Sequence, residues 1–258
     1  MTFAVPAEAY DRLVGRYSYA LASALADAAG IESGWSVLDV GAGSGAGTRR
    51  LVELVGPGRV AAVEPSEPFV EALRERLPGM DVRRGSAESL PFEDGEFDSA
   101  LSALVVNFME DPLAGVGEMR RVTRPGGAVG ACVWDYGGEM TLLRAFWDSA
   151  VALAPDLAAV ADERSRMRFA REGELAGLWR QAGLRDVQQG ELVVSAEYES
   201  FDDLWEPFTL GAGPAGAYAA SLEPGRQEAL RDDYRRRLTV PDGGFSLSAR
   251  AWYAVGRP

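Results

Sequence analysis

Histidine and lysine are both missing from these 258 residues, so all 26 basic side chains are arginine. Imidazole acid–base catalysis and lysine Schiff-base chemistry are thereby excluded. Cysteine is reduced to Cys132, inside the apolar run 128–134, where it reads as a buried strand residue and not as a nucleophile, half of a disulfide or a zinc ligand. No metal is expected. Long apolar runs are missing too: the longest uncharged stretch, 207–222, is interrupted by Gly211, Gly213, Pro214 and Gly216 and reads as a loop or broken helix, not a membrane span. Glu8 and Asp11 stand where a signal peptide would carry a basic segment leading into an apolar one, so the cytoplasm is the expected compartment. Positive charge is short overall, 26 basic against 39 acidic residues for a net charge of −13, which disfavours nucleic acid or an anionic membrane as partner. Small neutral or cationic substrates fit that balance better. The oligomeric state is not encoded in any of these features.

What is present is an ordinary globular composition, 47% apolar and 25% charged, long enough for one well-buried α/β core with additions. Its most informative stretch is Val37-Leu38-Asp39-Val40-Gly41-Ala42-Gly43-Ser44-Gly45, followed by Val60-Ala61-Ala62-Val63-Glu64. This reads as a strand, a glycine turn, a helix and a second strand ending in a carboxylate. Glycines at 41, 43, 45 and 47 permit unusual backbone angles and let a ligand lie against the chain. Ser44 or Thr48 is placed to cap the helix that follows, whose first N–H groups would face the ligand. Glu64 lies 23 positions after Gly41, a spacing suited to binding the two hydroxyls of a ribose. Gly41-x-Gly43-x-x-Ala46 also satisfies the relaxed dinucleotide fingerprint, so a nicotinamide oxidoreductase is a rival reading. Asp39 argues against it: an ionised carboxylate inside an apolar strand needs hydrogen-bond partners to offset its desolvation, supplied either by local backbone N–H groups or by a ligand.

These segments resemble motif I and the acidic second motif of the class I S-adenosylmethionine-dependent methyltransferases. Gly85-Ser86-Ala87-Glu88-Ser89-Leu90-Pro91-Phe92 resembles the family's segment after the third strand, 97–104 its fourth strand, and Arg124-Pro125-Gly126-Gly127 the turn before the fifth. There is a weaker likeness to the ubiquinone/menaquinone-biosynthesis type. The resemblance implies a Rossmann-like, doubly wound α/β fold of seven strands in the order 3-2-1-4-5-7-6, strand 7 antiparallel, with a helical cap. It also implies S-adenosyl-L-methionine as cofactor and S-adenosyl-L-homocysteine as product. Asp39, Gly41, Ala42 and Gly43 would hold the methionine part, Glu64 with Pro65 the ribose, and Ser86, Ala87 and Glu88 the adenine edge. Many relatives carry an acidic residue at the position of Ser86, so the adenine amino group is left to a backbone carbonyl, the serine hydroxyl or Glu88. Ser102 would approach the methionine amino group through its carbonyl. Apart from the resemblance, Arg12 and Arg16 are placed either to lie over the cofactor carboxylate when the N-terminal lid closes or to form an ordinary solvated helix face.

Along the chain, helices are expected at 7–14, 17–29, 46–55, 67–77, 111–122, 142–157 and 172–182, and strands at 36–40, 59–63, 81–84, 97–103, 127–134, 185–197 and 245–255. Alternation of helices with strands apolar on both faces argues a covered parallel sheet. The division expected is a single methyltransferase domain over 1–258: an N-terminal helical lid at 1–34, a cofactor-binding core at 35–137, cap insertions at 138–169 and 198–244, and the remainder of the core at 170–197 and 245–258. The acceptor, a small and partly apolar molecule, is expected under the cap against Tyr17, Asn107, Trp134, Trp147, Trp205 and Phe208. Aromatic rings of this kind also serve simply to pack a cap. A hydroxyl acceptor calls for a proton acceptor, and without histidine the candidates are Asp135, Tyr136 and Tyr10, with Glu110 and Glu139 behind them. Oxygen, nitrogen and carbon methylation are not separated by the sequence. A non-methylating enzyme on the same fold, for example a cyclase, and a regulatory cofactor binder are the other readings.

Overall fold

The computed structural model describes residues 11–56 and 58–258. Seven strands lie in one sheet: β1 (Val37–Val40), β2 (Val60–Glu64), β3 (Asp81–Arg84), β4 (Phe97–Ala103), β5 (Thr123–Trp134), β6 (Arg185–Tyr198) and β7 (Phe245–Arg257). Their order is β3-β2-β1-β4-β5-β7-β6. The first five run parallel, while β7 pairs antiparallel with both β5 and β6. All four residues of β1 and all five of β2 are buried, as a strand covered on both faces requires.

Helices α1 (Ser18–Ala29), α2 (Ala46–Val55), α3 (Glu67–Arg76), α4 (Pro112–Val122) and α7 (Glu174–Gln181) alternate with the strands, and between the last two run α5 (Thr141–Leu153) and α6 (Pro155–Ala161). Punctuation follows local chemistry. Gly30 closes α1 at a φ of 68°. Pro112 occupies the first turn of α4, where the Asp111 side chain accepts the Ala114 N–H at 3.0 Å. The single helix expected over 142–157 is in fact α5 and α6. Pro155 splits them, because the residue before a proline is driven out of the helical region, and Ala154 sits at φ −148°, ψ 74°. Strand β5 begins earlier than expected because Thr123 pairs with Phe97 ahead of a register shift.

Three more helices lie between β6 and β7: α8 (Phe201–Thr209), α9 (Gly213–Ala220) and α10 (Pro224–Leu238). The stretch 207–222 is thus a broken helix, with Gly211 and Gly213 at φ 81° and 66° in the break. These helices join α5 through aromatic rings. Phe146 stacks on Phe208 at 4.6 Å between centroids, and Tyr234 stands edge-on to Phe208 at 5.7 Å. The Tyr234 hydroxyl donates to the Leu142 carbonyl at 3.2 Å. Among the described residues, no helix is long and apolar enough to cross a membrane.

Candidate active site

The carboxyl ends of β1, β2 and β4 open into a cleft of about 460 Å³. Its floor is the glycine turn. Gly41 has φ 79°, and a Cβ there would come within 2.5 Å of the Val105 side chain, so only glycine fits. Gly43, at φ 56°, has nothing within 4 Å of where a Cβ would stand, which leaves its backbone open to a ligand. Gly47 differs: it is an ordinary helical residue of α2, with room for a Cβ at 3.6 Å from Ala22.

Two buried carboxylates flank the turn. Asp39 accepts the Thr48 hydroxyl at 2.7 Å, and burial, reinforced by Glu64, pushes its carboxyl up to about 6. Its partner is therefore a side chain nine residues on, on α2. This also corrects the capping expectation. Thr48 points back at Asp39, Ser44 donates to Asp11, and α2 has Gly45 at its N-cap position with no side-chain cap. Glu64 accepts the Gly43 N–H at 3.0 Å on one oxygen and the Ser66 N–H at 2.9 Å on the other. Burial raises its carboxyl, and the two backbone bonds work against that rise. Each oxygen keeps a lone pair for a further donor.

Ala42, Pro65, Ser86, Ala87 and Glu88 line the same cleft, as do Leu104, Phe108 and Glu110. Glu88 Oε1 accepts the Glu110 N–H at 2.9 Å, tying the segment after β3 to the segment after β4. Leu104 and Phe108 are shared with a second, smaller chamber of about 40 Å³, whose other walls include Leu13, Trp134, Tyr136, Leu143 and Glu163. Glu163 accepts the Trp147 indole N–H at 2.9 Å, and burial pushes its carboxyl up to about 7.

The family described as a methyltransferase domain matches residues 38–130. Malonyl-[acyl-carrier protein] O-methyltransferase of Halorhodospira halophila is 30% identical over 235 residues, 86% of this chain and 75% of that protein. The chain belongs to the class I S-adenosylmethionine-dependent methyltransferases. Several other curated relatives are matched over only 37% to 45% of their own length. Among solved structures, this methyltransferase is similar to phosphoethanolamine N-methyltransferase 2 of Haemonchus contortus in complex with S-adenosyl-L-methionine, at TM-score 0.57 and 16% identity, covering 93% of this chain and 52% of that one. It is also similar to the [4+2]-cyclase SpnF, at TM-score 0.54 and 19% identity, covering 93% and 81%. S-adenosylmethionine is the methyl donor of the family, and an open glycine turn between two acidic strand ends fits it.

The methyltransferase brings together Asp39, Gly41, Ala42, Gly43, Glu64, Pro65, Ser86, Ala87 and Glu88 in the cleft. Ser102 lies behind the lining, its hydroxyl donating to the Val40 carbonyl at 3.1 Å. Arg16 is held elsewhere: it donates to the Glu197 carbonyl at 2.9 Å, pairs with Asp203 and lies 4.8 Å over the Tyr198 ring. It fastens the N-terminal segment to β6 and α8. Asp135 is occupied by Arg250 at 2.7 Å and by the Glu139 N–H at 3.0 Å, a strand-end ion pair outside both cavities. Glu139 in turn pairs with Arg250 at 3.0 Å.

Of the expected acceptor contacts, Trp134 lines the small chamber and Asn107 is buried next to Phe108. Trp147 stands behind the lining, reaching it through Glu163. Tyr17 is wholly buried, edge-on to Trp134 at 5.7 Å, while Trp205 and Phe208 pack the aromatic interior of α5, α8 and α10. Tyr136 does line the chamber, and Tyr10 lies outside the described residues. Sequence reasoning missed Glu163. The run Asp162-Glu163-Arg164-Ser165-Arg166 looks like a solvated turn, and only the folded chain shows Glu163 to be 4% exposed.

Proposed function

We propose that the protein transfers a methyl group from S-adenosylmethionine to a small, partly apolar molecule by in-line displacement. The observation that carries this reading is Glu64, buried at the tip of β2, bonded to the Gly43 N–H and lining the cleft with spare lone pairs. Such a carboxylate suits the two ribose hydroxyls, while the open backbone at Gly43 accommodates the methionine part and the segment 86–88 the adenine edge. The bound cofactor supplies an activated methyl on a sulfonium. The chain supplies position and exclusion of water: apolar Leu104 and Phe108 stand between the cleft and the small chamber, where an acceptor would reach the methyl from the side opposite sulfur.

The test combines binding and product mass. Glu64→Ala is expected to weaken S-adenosylhomocysteine binding in calorimetry by about 1–3 kcal/mol, as for lost charge-assisted hydrogen bonds. Unchanged affinity removes the ribose assignment. A metabolite-extract screen with isotopically labelled methyl donor, read by mass spectrometry, is expected to yield a product carrying the label. Turnover without added mass would instead mark an isomerising enzyme, the chemistry named for the cyclase neighbour. A nicotinamide enzyme would reveal itself by a difference spectrum with NADH.

A further inference from the structure

Trp134 and Glu163 bring polar groups to the lining of the small chamber, and the buried Asn107 precedes the lining residue Phe108 in sequence. Among the described residues, the Trp134 indole nitrogen and the Asn107 side-chain oxygen have no hydrogen-bond partner, as is also true of the Trp252 indole nitrogen away from the chamber lining, and the Glu163 carboxylate has only the Trp147 N–H among side-chain donors. Buried polar groups are normally satisfied, so unpartnered ones beside a cavity mark a place where a ligand completes the network. Among the described residues, the rest of the chamber wall is apolar or aromatic, with Leu13, Leu104, Phe108, Tyr136 and Leu143 around it.

The chemistry of the donors narrows the ligand. An indole N–H can only donate, and a carboxylate accepts, so the group between them has to accept one hydrogen bond and donate another. A hydroxyl does both and keeps a lone pair for reaction, whereas an ammonium has nothing to offer the indole. The aromatic lining at Phe108, Trp134 and Tyr136 favours a ring. At about 40 Å³ the chamber holds a few water-sized groups, enough for the hydroxyl end of a ring whose remainder lies along the Phe108 wall.

Building on the methyl-transfer reading, we infer that the acceptor is a hydroxyl on a flat apolar ring, seated between Trp134 and Glu163, and that Glu163 takes its proton. In that step the hydroxyl oxygen forms a bond to the methyl carbon, and the carbon–sulfur bond breaks with its electron pair left on sulfur. The proton passes to the Glu163 carboxylate, and a neutral ether leaves. The surroundings suit a proton acceptor working near neutrality. Asp162 opposes the charge of Glu163 from its own turn. Arg166 on that turn and Arg144 on α5 favour it, but Arg144 is already paired with Asp162 at 2.8 Å and Asp148 at 3.2 Å. Among the described residues, the phenols of Tyr136 on the chamber wall and Tyr218 beside Trp147 are further titratable neighbours.

The probe pair is 4-methylphenol and 4-methylanisole, which differ in the hydroxyl proton, titrated by calorimetry into protein saturated with S-adenosylhomocysteine. The phenol is expected to bind at least tenfold more tightly than the anisole at pH 8, with the advantage shrinking as pH falls through about 7 and Glu163 becomes protonated. Glu163→Gln, which keeps an acceptor for the Trp147 N–H, is expected to abolish both the preference and its pH dependence while leaving S-adenosylhomocysteine affinity within about twofold. Trp134→Phe should weaken the phenol about three- to tenfold. No phenol binding, equal binding of the two probes, or a Glu163→Gln protein that still prefers the phenol overturns the inference. Failure of S-adenosylhomocysteine itself to bind would instead sink the methyl-transfer reading, so the two failures are distinguishable.

Discussion

The cleft and the chamber share a wall at Leu104 and Phe108 yet are built by different means. The cleft takes most of its acidic and glycine residues from one strand–turn–helix–strand passage, 39–64, with the segments 85–88 and 103–110 closing the far side. The chamber gathers Leu13, Phe108, Trp134, Glu163 and Ala212 from segments spread over most of the chain. On the proposed reading, the ligand common to the family would be gripped by backbone and carboxylates mostly close in sequence, and the acceptor would be met by side chains that only the folded chain brings together. Recognition of the donor would then be largely a local property of the chain, and recognition of the acceptor a tertiary one.

That separation breaks most visibly if the aromatic interior of the cap also supports the cleft. Phe146 is fully buried, stacked on Phe208 and edge-on to Trp147. Phe146→Ala is expected to cost about 3–5 kcal/mol in denaturant unfolding, the usual range for a large ring removed from a core. S-adenosylhomocysteine affinity, measured where the variant remains folded, should stay within a factor of two. A matching loss of cofactor affinity would mean that cleft and cap form one cooperative unit.

A smaller effect sharpens the comparison from the cleft side. The Asp39 carboxyl titrates near 6 in the fold against 3.8 as its ordinary value, because burial disfavours its charge. The folded state therefore holds its proton more tightly than the unfolded chain, and stability falls as pH rises from about 4 to about 6. Above that window the charged carboxylate costs the cofactor-free fold on the order of 3 kcal/mol. Asp39→Asn, which still offers Thr48 an acceptor, is expected to raise the melting temperature at pH 8 and to lose that advantage below about pH 5. The same variant should bind cofactor less well, the mark of a residue kept for its ligand at the expense of the fold. A melting temperature unchanged at pH 8 would show that the charge is already compensated inside the protein.

The contrast also accounts for what the sequence revealed. Strand order and the antiparallel β7 were implied by the family resemblance, which rests on ordered motifs between Val37 and Gly127; what the residues themselves indicated was local, namely strands apolar on both faces, a glycine turn and a carboxylate at a strand tip. Pro155, by contrast, was visible as a residue but not weighed as a break, so α5 and α6 merged into one helix. Glu163 was illegible because its burial depends on Trp147 and on the chamber walls, none of which its neighbours in sequence reveal. Aromatic content alone pointed to Tyr17, Trp205 and Phe208, and the rings proved to pack against one another or against Trp134. A ring that fills a core and a ring that greets a ligand have the same composition, and only their neighbours separate them.

Arg16 supplies the finest test, because its expected and observed positions lie on opposite sides of the same comparison. Over the cofactor carboxylate it would belong to the cleft. In the structure it pairs with Asp203 and the Glu197 carbonyl, with its guanidinium against Tyr198, and so belongs to the junction of the N-terminal segment with the cap. Partly exposed ion pairs of this kind contribute about 0–1 kcal/mol, and salt screens them. Arg16→Gln is accordingly expected to lower stability by no more than about 1 kcal/mol in denaturant unfolding, less at high salt, with S-adenosylhomocysteine affinity unchanged. An affinity loss of tenfold or more, with stability preserved, would return Arg16 to the cleft and show that cofactor binding draws the N-terminal segment across it.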